Sequence, residues 1–514
     1  MAHSPILKPG RNCWRMEHAD RLVFLVDGAD YFHAFRETVK KAQHSVLIIG
    51  WDMDSRVELL REPKPGDEPE HAGKHKTDGL PVRLGDFLNS LIKRNSQLHI
   101  HVLDWDFTMI FAAAREWLPL YKVEWTAHPR LHFHLDDQHP AGACHHQKIV
   151  VVDDRVAFVG GLDLTRGRWD TPEHRPEDPR RREAEAEPVP PQPYHDIQMM
   201  VSGAVATALG KLARERWRLA TNEELPAPEI QTGLPSSSYW PDYLAPDLEN
   251  VQVAIARTVP WHNNYPEVRE VEQLLLDAIA AARDSIYIEA QYFTAHKVGA
   301  ALVKRLKEHD GPEVVVLLPE HTDGWLSRNT MDVLRERLFK QLKQADHHNR
   351  LRLYCPYVPG LDGQCVNMHS KMIIIDNELV RVGSANLNNR SMGLDTECDL
   401  VLEANGDARI RSAIEAFRNR LLGEYLGVEP TEIGARVIRE GSLIRAIESL
   451  CGSERTLNPL TLRVTPEMDA LVPESQIVDP DQPIDAEQLI KEFVPEEQRE
   501  PAVYGTAGCH YPET

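Results

Sequence analysis

Two stretches of this chain repeat one another without a gap, and no other feature limits its folding as strongly. HHQKIVVVDDRVAFVGGLDL begins at His145 and MHSKMIIIDNELVRVGSANL begins at Met368. His146 aligns with His369, Lys148 with Lys371, Asp153 with Asp376, Gly160 with Gly383 and Asp163 with Asn386, each at an offset of 223. Five chemically matched positions at one offset mark an internal duplication. The likeness continues upstream. A helical pattern from about Asp30 to Gln43 runs into the apolar SVLIIGWD, and another from about Val268 to Arg283 runs into SIYIEAQYF. Strand-like LHIHVLDWD and EVVVLLPE follow, then RLHFHLDD and RLRLYCPYV. Helices alternating with short β-branched strands predict a layered α/β unit around a buried sheet, and the repeat predicts two such units in tandem.

The units are expected over residues 1–221 and 251–428, joined by a proline-bearing linker over 222–250. Residues 170–194, DTPEHRPEDPRRREAEAEPVPPQPY, are so rich in proline and charge that a mobile surface insertion is expected. Its arginines Arg180, Arg181 and Arg182 are expected to be cancelled in solvent by Glu183, Glu185 and Glu187. Residues 429–514 lose the periodicity and are expected to form a partly ordered extension.

Lysine and arginine number 58 against 79 aspartates and glutamates, a net charge of −21 that argues against a broad nucleic-acid-binding face. No run of 18 apolar residues exists, so no spanning helix is expected. The N-terminal segment has no apolar signal core. The seven cysteines (Cys13, Cys144, Cys355, Cys365, Cys398, Cys451, Cys509) form no CxxC pair and read as free thiols in a reducing compartment. A cytoplasmic location, peripheral at the inner membrane, is the expectation, with export by a non-classical route left open.

Side chains two apart on a strand share a face, so His146 projects with Lys148 and His369 with Lys371. Two such pairs facing one another would suffice for displacement at phosphorus. One neutral imidazole could attack while the other, protonated, donates to the leaving alkoxide, and the two ammonium groups would neutralise the nonbridging oxygens. The residues alone do not say which histidine takes which role. No metal or other cofactor is expected. The odd spacing turns Asp153 and Asp376 away from that face, toward a supporting role. His132, His134, His139, Cys144 and His145 crowd together and invite a zinc reading, but no second cluster with ligand spacing accompanies them. Trp51, Asp52, Asp54 and Ser55 follow the first strand of one unit, as Glu289, Gln291 and Tyr292 follow that of the other. Strand carboxyl ends are common binding positions, and packing or capping explains these residues equally well.

HxKxxxxD occurring twice, each followed by a GG or GS step, resembles the phospholipase D superfamily over about Val23–Gly427. GWDMDS, DDQHPAGACHHQKIVVVDD and GGLDLTRGRWDTPEH are similar to bacterial phospholipase D-like proteins related to the eukaryotic-type enzymes, and SANLNNRSMGLDTE to their second-motif region. The resemblance implies two pseudo-twofold-related α/β sandwich domains with mixed sheets, an active site at their interface, and a two-step, metal-independent reaction through a covalent phosphohistidine. Carried over, His146 becomes the nucleophile and His369 the acid and base. Lys148, Lys371, Asp153 and Asp376 complete the catalytic motifs, Asp196 and Glu397 orient the histidines, and Ser384 and Asn386 donate to the phosphate. At Asn386's counterpart stands Asp163, whose charge would repel a phosphate, so it is expected to orient a neighbour. The implied substrate is a glycerophospholipid and the acceptor water or an alcohol, with transient peripheral membrane contact and no nucleic acid. Cardiolipin synthase-type transfer and metal-independent nuclease action are the alternatives. Histidine and lysine are intact in both motifs, which argues against a degenerate binding module.

Overall fold

The computed structural model describes residues 5–61, 78–106, 125, 128–181, 192–229, 235–321, 325–361, 365–452, 454–462, 464–472 and 478–483. Arg182, Glu183, Glu185 and Glu187, Cys509 and the end of the expected extension lie outside them. The first half supplies β1 (Arg15–Val26), β2 (Ser45–Ile49), β3 (His99–Trp105), β4 (Leu131–Asp136), β5 (Ile149–Val152), β6 (Val156–Gly160), β7 (Tyr194–His195) and β8 (Ile197–Ser202). The second supplies β9 (Leu248–Val259), β10 (Val268–Arg269), β11 (Ser285–Ala290), β12 (Glu313–Leu317), β13 (Leu351–Tyr357), β14 (Asn367–Met368), β15 (Lys371–Ile375), β16 (Leu379–Gly383), β17 (Glu397–Glu403) and β18 (Thr456–Pro459).

All but β7 and β14 join one mixed sheet, in the order β4-β3-β2-β5-β6-β8-β1-β9-β17-β16-β15-β11-β12-β13-β18 with β10 on β9. Read outward from the middle, the two halves run through equivalent strands in the same order. The join is antiparallel, from Arg15 opposite Ile255 to Leu22 opposite Leu248. This is the α/β arrangement that the repeat predicts, with the pseudo-twofold relation that the family resemblance implies. Period-2 alternation sorts the side chains of each strand between two layers. Leu22, Phe24 and Val26 pack under the helices Ala204–Thr221 and Ala408–Leu426, while Val23 and Leu25 pack against the helix Asp27–Val39. The motif strand IVVV is buried throughout, as a strand covered on both faces should be.

The segment expected as a mobile insertion departs from its composition. Asp170, His174 and Arg181 are all at most 2% exposed. His174 pairs with Asp170 at 2.9 Å, and Arg181 reaches the same carboxylate at 3.1 Å. Arg180 pairs with Asp178 at 2.6 Å. Among the described residues of this segment, Asp170, His174 and Arg181 are paired with one another inside the protein, which removes the usual obstacle to burying them. The expected linker is also more than a linker, because it supplies the start of β9, the strand at the centre of the sheet. The C-terminal extension folds onto the second half: β18 pairs with β13, and Asp479 accepts from Thr294 Oγ1 and from the N–H groups of Asn389 and Arg390. Among the described residues no helix is long and apolar enough to cross a membrane.

The motif aspartates do the same job in each half. Asp153 accepts the backbone N–H groups of Gln43, His44 and Ser45, and Asp376 those of Arg283, Asp284 and Ser285. Each also opens a tight hairpin turn with positive φ at two successive residues, Asp153–Asp154 and Asp376–Asn377. Counted with the catalytic set on the strength of the motif, both prove to be staples between a helix end and the central strands. Asp153→Ala is expected to remove about 3–5 kcal/mol of stability, the scale of several charge-assisted hydrogen bonds lost at a buried site. Denaturant unfolding reads this loss, while the rate per folded molecule should hold within about threefold.

Candidate active site

Each motif histidine enters the site one residue after a short cross-half pairing. β14 runs parallel to β7, placing Met368 beside His195, and His145 bridges Thr396 in the same sense. His369 then donates its N–H to the His195 carbonyl at 2.8 Å, and His146 donates its own to the Thr396 carbonyl at 3.2 Å. His195 precedes Asp196 and Thr396 precedes Glu397, so each crossing brings a carboxylate of one half against the imidazole of the other. His369 Nδ1 lies 2.6 Å from Asp196, and His146 Nδ1 lies 3.0 Å from both oxygens of Glu397. Side-chain exposures of 13% and 10% leave His146 and His369 accessible, while both carboxylates are fully buried.

With Nδ1–H given to a carboxylate, the Nε2 atom of each ring is left toward the site. Burial first, then the charge of Lys148 and Lys371, pushes the His146 imidazole well below its ordinary value. Burial, then Lys371, Arg168 and Lys148, does the same to His369. Each imidazole thus feels the lysines of both motifs, as it can only where the two motifs meet. Burial also raises Glu397 and carries Asp196 up to about 7. Lys371 is brought down to about 7, chiefly by burial, against the pull of Asp196. An arriving phosphate anion would reverse the cationic repulsion and favour protonated lysine and imidazole.

The two halves differ at the residues after each glycine. Gly161 must be glycine because a Cβ there would stand 2.2 Å from an Asp196 oxygen. Its repeat counterpart is Ser384, whose hydroxyl donates to Glu397 and accepts from the Cys398 N–H. Ser384, read as a phosphate donor, thus spends its only O–H on a carboxylate and positions Glu397 instead. Asn386 is 4% exposed with its side-chain carbonyl unpartnered, and its N–H goes to Ser391. Asp163 does orient a neighbour: it pairs with Lys148 at 3.0 Å and accepts the Trp51 N–H. Lys371 meets the neutral Gln291 at 3.3 Å, so the second half carries the less compensated cation.

Of the strand-end residues, Trp51 lines the site, with its ring centroid 6.3 Å from that of His146 and Lys148 Nζ 5.8 Å above it. Gln291 contacts Lys371. Tyr292 packs in a small outer cluster, Asp54 holds Arg56 and Arg166, and Asp52 accepts from Thr165. Glu289 is buried against His195, Ser370, Tyr287 and Tyr425. The crowded residues of the zinc reading do not converge. His145 pairs with Asp136, His139 accepts from the Trp105 indole, and His132 stacks on His101. A different group, Asp27, His174, His195 and Glu424, has the donor set of a divalent-cation site, with one donor atom from each within 4.8 Å of the others. It lies behind Asp196, whose carbonyl accepts the Asp27 N–H. Arg168, which the repeat does not flag, stands over the Tyr194 ring at 4.7 Å and bears on His369, Asp196 and Lys371.

Comparison with known proteins supplies a family for this geometry. A profile described as Phospholipase D matches residues 38–300, and one described as "Cardiolipin synthase, PLD-like domain" matches 275–420. Phospholipase D alpha 1 of Carica papaya is 23% identical over 544 aligned residues, which cover 78% of this chain and 65% of that protein. Phospholipase D A of Dictyostelium discoideum is 24% identical, with coverage of 79% and 35%. The chain thus spans less than two thirds of these relatives. The crystal structure of phosphatidylserine synthase from Haemophilus influenzae Rd KW20 superposes with a TM-score of 0.51 at 12% identity, covering 83% of this chain and 95% of that one, a likeness of fold. The Phospholipase D profile takes in just over half of the 514 residues, the first motif included, and the chain belongs to the phospholipase D superfamily.

Proposed function

We propose that the protein cleaves or exchanges the headgroup ester of glycerophospholipids through a phosphohistidine. The observation that carries this reading is the exchange of carboxylates between halves, which orients two imidazoles toward one site beside two buried lysines. His146 Nε2 attacks phosphorus, and the bond to the headgroup oxygen breaks as His369 gives that oxygen its proton. Water or an alcohol then loses a proton to His369 and attacks phosphorus, breaking the P–N bond and freeing His146. Glu397 stabilises positive charge on the first ring, Asp196 on the second, and Lys148 and Lys371 face the nonbridging oxygens. The assignment of His146 as nucleophile follows the family resemblance.

Headgroup release from phosphatidylcholine, phosphatidylethanolamine and phosphatidylglycerol vesicles tests the reading. No turnover on any of the three by folded protein would remove it. The second-half match to a cardiolipin synthase-type domain supports a second reading, phosphatidyl transfer to a lipid alcohol. Product analysis with phosphatidylglycerol as sole substrate separates the two. The net charge of −21 speaks against a nuclease, and degradation of single-stranded DNA lost in His146→Ala would revive that alternative.

A further inference from the structure

The stretch between β9 and β10 forms a tight turn flanked by aromatic side chains. Beyond the paired Val259 and Val268 the chain turns at His262–Tyr265, where the Tyr265 N–H donates to the His262 carbonyl at 2.8 Å. Asn263 and Asn264 both take positive φ, 47° and 66°, which is the backbone of a two-residue type I′ turn and suits asparagine. Trp261 and Tyr265 flank this turn at 62% and 37% exposure. The other exposed large apolar residues among those described, Val82, Tyr243, Ile438 and Leu471, are scattered singly along the chain.

The tip connects to the active site by a short series of contacts. Asn263 donates to the Gln138 side chain at 3.4 Å, and the neighbouring His139 accepts from the Trp105 indole at 2.9 Å. Trp105 stacks on Trp51 with centroids 5.7 Å apart, and Trp51 meets His146 edge-on. Trp51, Trp105 and Gln138 stand at or just past the carboxyl ends of β2, β3 and β4. The hairpin therefore lies at the carboxyl-end side of β2, β3 and β4, where Trp51 meets His146.

We propose that this hairpin is an interfacial anchor, seating Trp261 and Tyr265 at the headgroup level of a lipid bilayer so that a headgroup ester comes within reach of the histidines. The inference rests on the phospholipid reading given above. Indole and phenol rings suit that boundary, because each has an apolar body and a polar edge. Residues 260–266, PWHNNYP, hold no acidic side chain. The net charge of −21 gives the protein no general attraction to anionic lipid, which favours apolar insertion as the means of approach. A turn already fixed in shape loses little conformational freedom on insertion. Two rings give weak, reversible contact, which suits an enzyme that must leave after turnover.

The test uses the full chain with phosphatidylcholine–phosphatidylethanolamine vesicles and, separately, a short-chain phosphatidylcholine held below its micelle concentration. Trp261→Ala combined with Tyr265→Ser is expected to lower vesicle partitioning about tenfold, the scale of withdrawing one partly inserted indole. The specificity constant on vesicles should fall in parallel, with kinetics on the monomeric lipid within twofold of the parent. Trp261→Phe should recover most of the partitioning, and high salt should not weaken it. Unchanged partitioning in the double variant would overturn the anchor, as would an equal loss on the monomeric lipid, which would put the tip's effect in the site. If the parent protein turns over neither these lipids nor phosphatidylglycerol, the functional reading fails while vesicle partitioning still judges the hairpin.

Discussion

His146→Ala is expected to abolish turnover, lowering kcat by at least about 10⁴-fold, because it removes the atom that bonds to phosphorus. His369→Ala should lose about 10²–10⁴-fold on a natural headgroup, whose alkoxide cannot leave without a proton. The two variants part company on a p-nitrophenyl phosphodiester. A phenolate leaves unassisted, so His369→Ala should still form the phosphoenzyme and then stall, for want of a base to deprotonate water. Rapid quenching with a phosphorus-labelled ester should find an acid-labile, base-stable label in His369→Ala and none in His146→Ala. Label in His146→Ala alone would exchange the roles, and label in neither would end the covalent pathway. The geometry gives the experiment its interest, since the pseudo-twofold makes both rings chemically competent. The differences between halves are small: Glu397 presents two oxygens to His146 and takes a hydroxyl from Ser384, whereas Asp196 presents one to His369.

The duplication and the motif residues were legible because they obey local rules. Strand period fixes which of His146, Lys148 and Asp153 share a face, and a constant offset identifies the partner set. Asp196 and Glu397 were also reachable from the family pattern by position. The direction of their pairing was not, because it depends on β14 reaching β7 across the join, and neither strand has more than two residues to signal it. The role of Ser384 hid behind its place in a phosphate-binding pattern, since spacing cannot tell whether a hydroxyl faces substrate or a buried carboxylate. Asp170, His174 and Arg181 were misread as solvated because composition counts charges without showing which ones meet. Asp27 and Glu424 are nearly 400 residues apart, and nothing in either neighbourhood announces that they close around the same two histidines.

The exchanged carboxylates make a prediction that crosses the domain boundary. Glu397 belongs to the second half but touches the first motif's histidine, so Glu397→Gln should behave like a weakened His146 variant. It should form the phosphoenzyme slowly, on the order of 10²–10⁴-fold down, because an amide cannot stabilise the imidazolium as a carboxylate does. Asp196 belongs to the first half but touches His369, so Asp196→Asn should form the phosphoenzyme from the p-nitrophenyl ester and hydrolyse it slowly, as His369→Ala does. Both changes preserve volume, and both positions are fully buried, so thermal unfolding must first show folded protein in each case. If each carboxylate served the histidine of its own half, the phenotypes would be reversed, with label accumulating in Glu397→Gln and failing to form in Asp196→Asn. That reversal would place the functional pairing within each half, against the 2.6 Å and 3.0 Å contacts that now join the halves at the reacting rings.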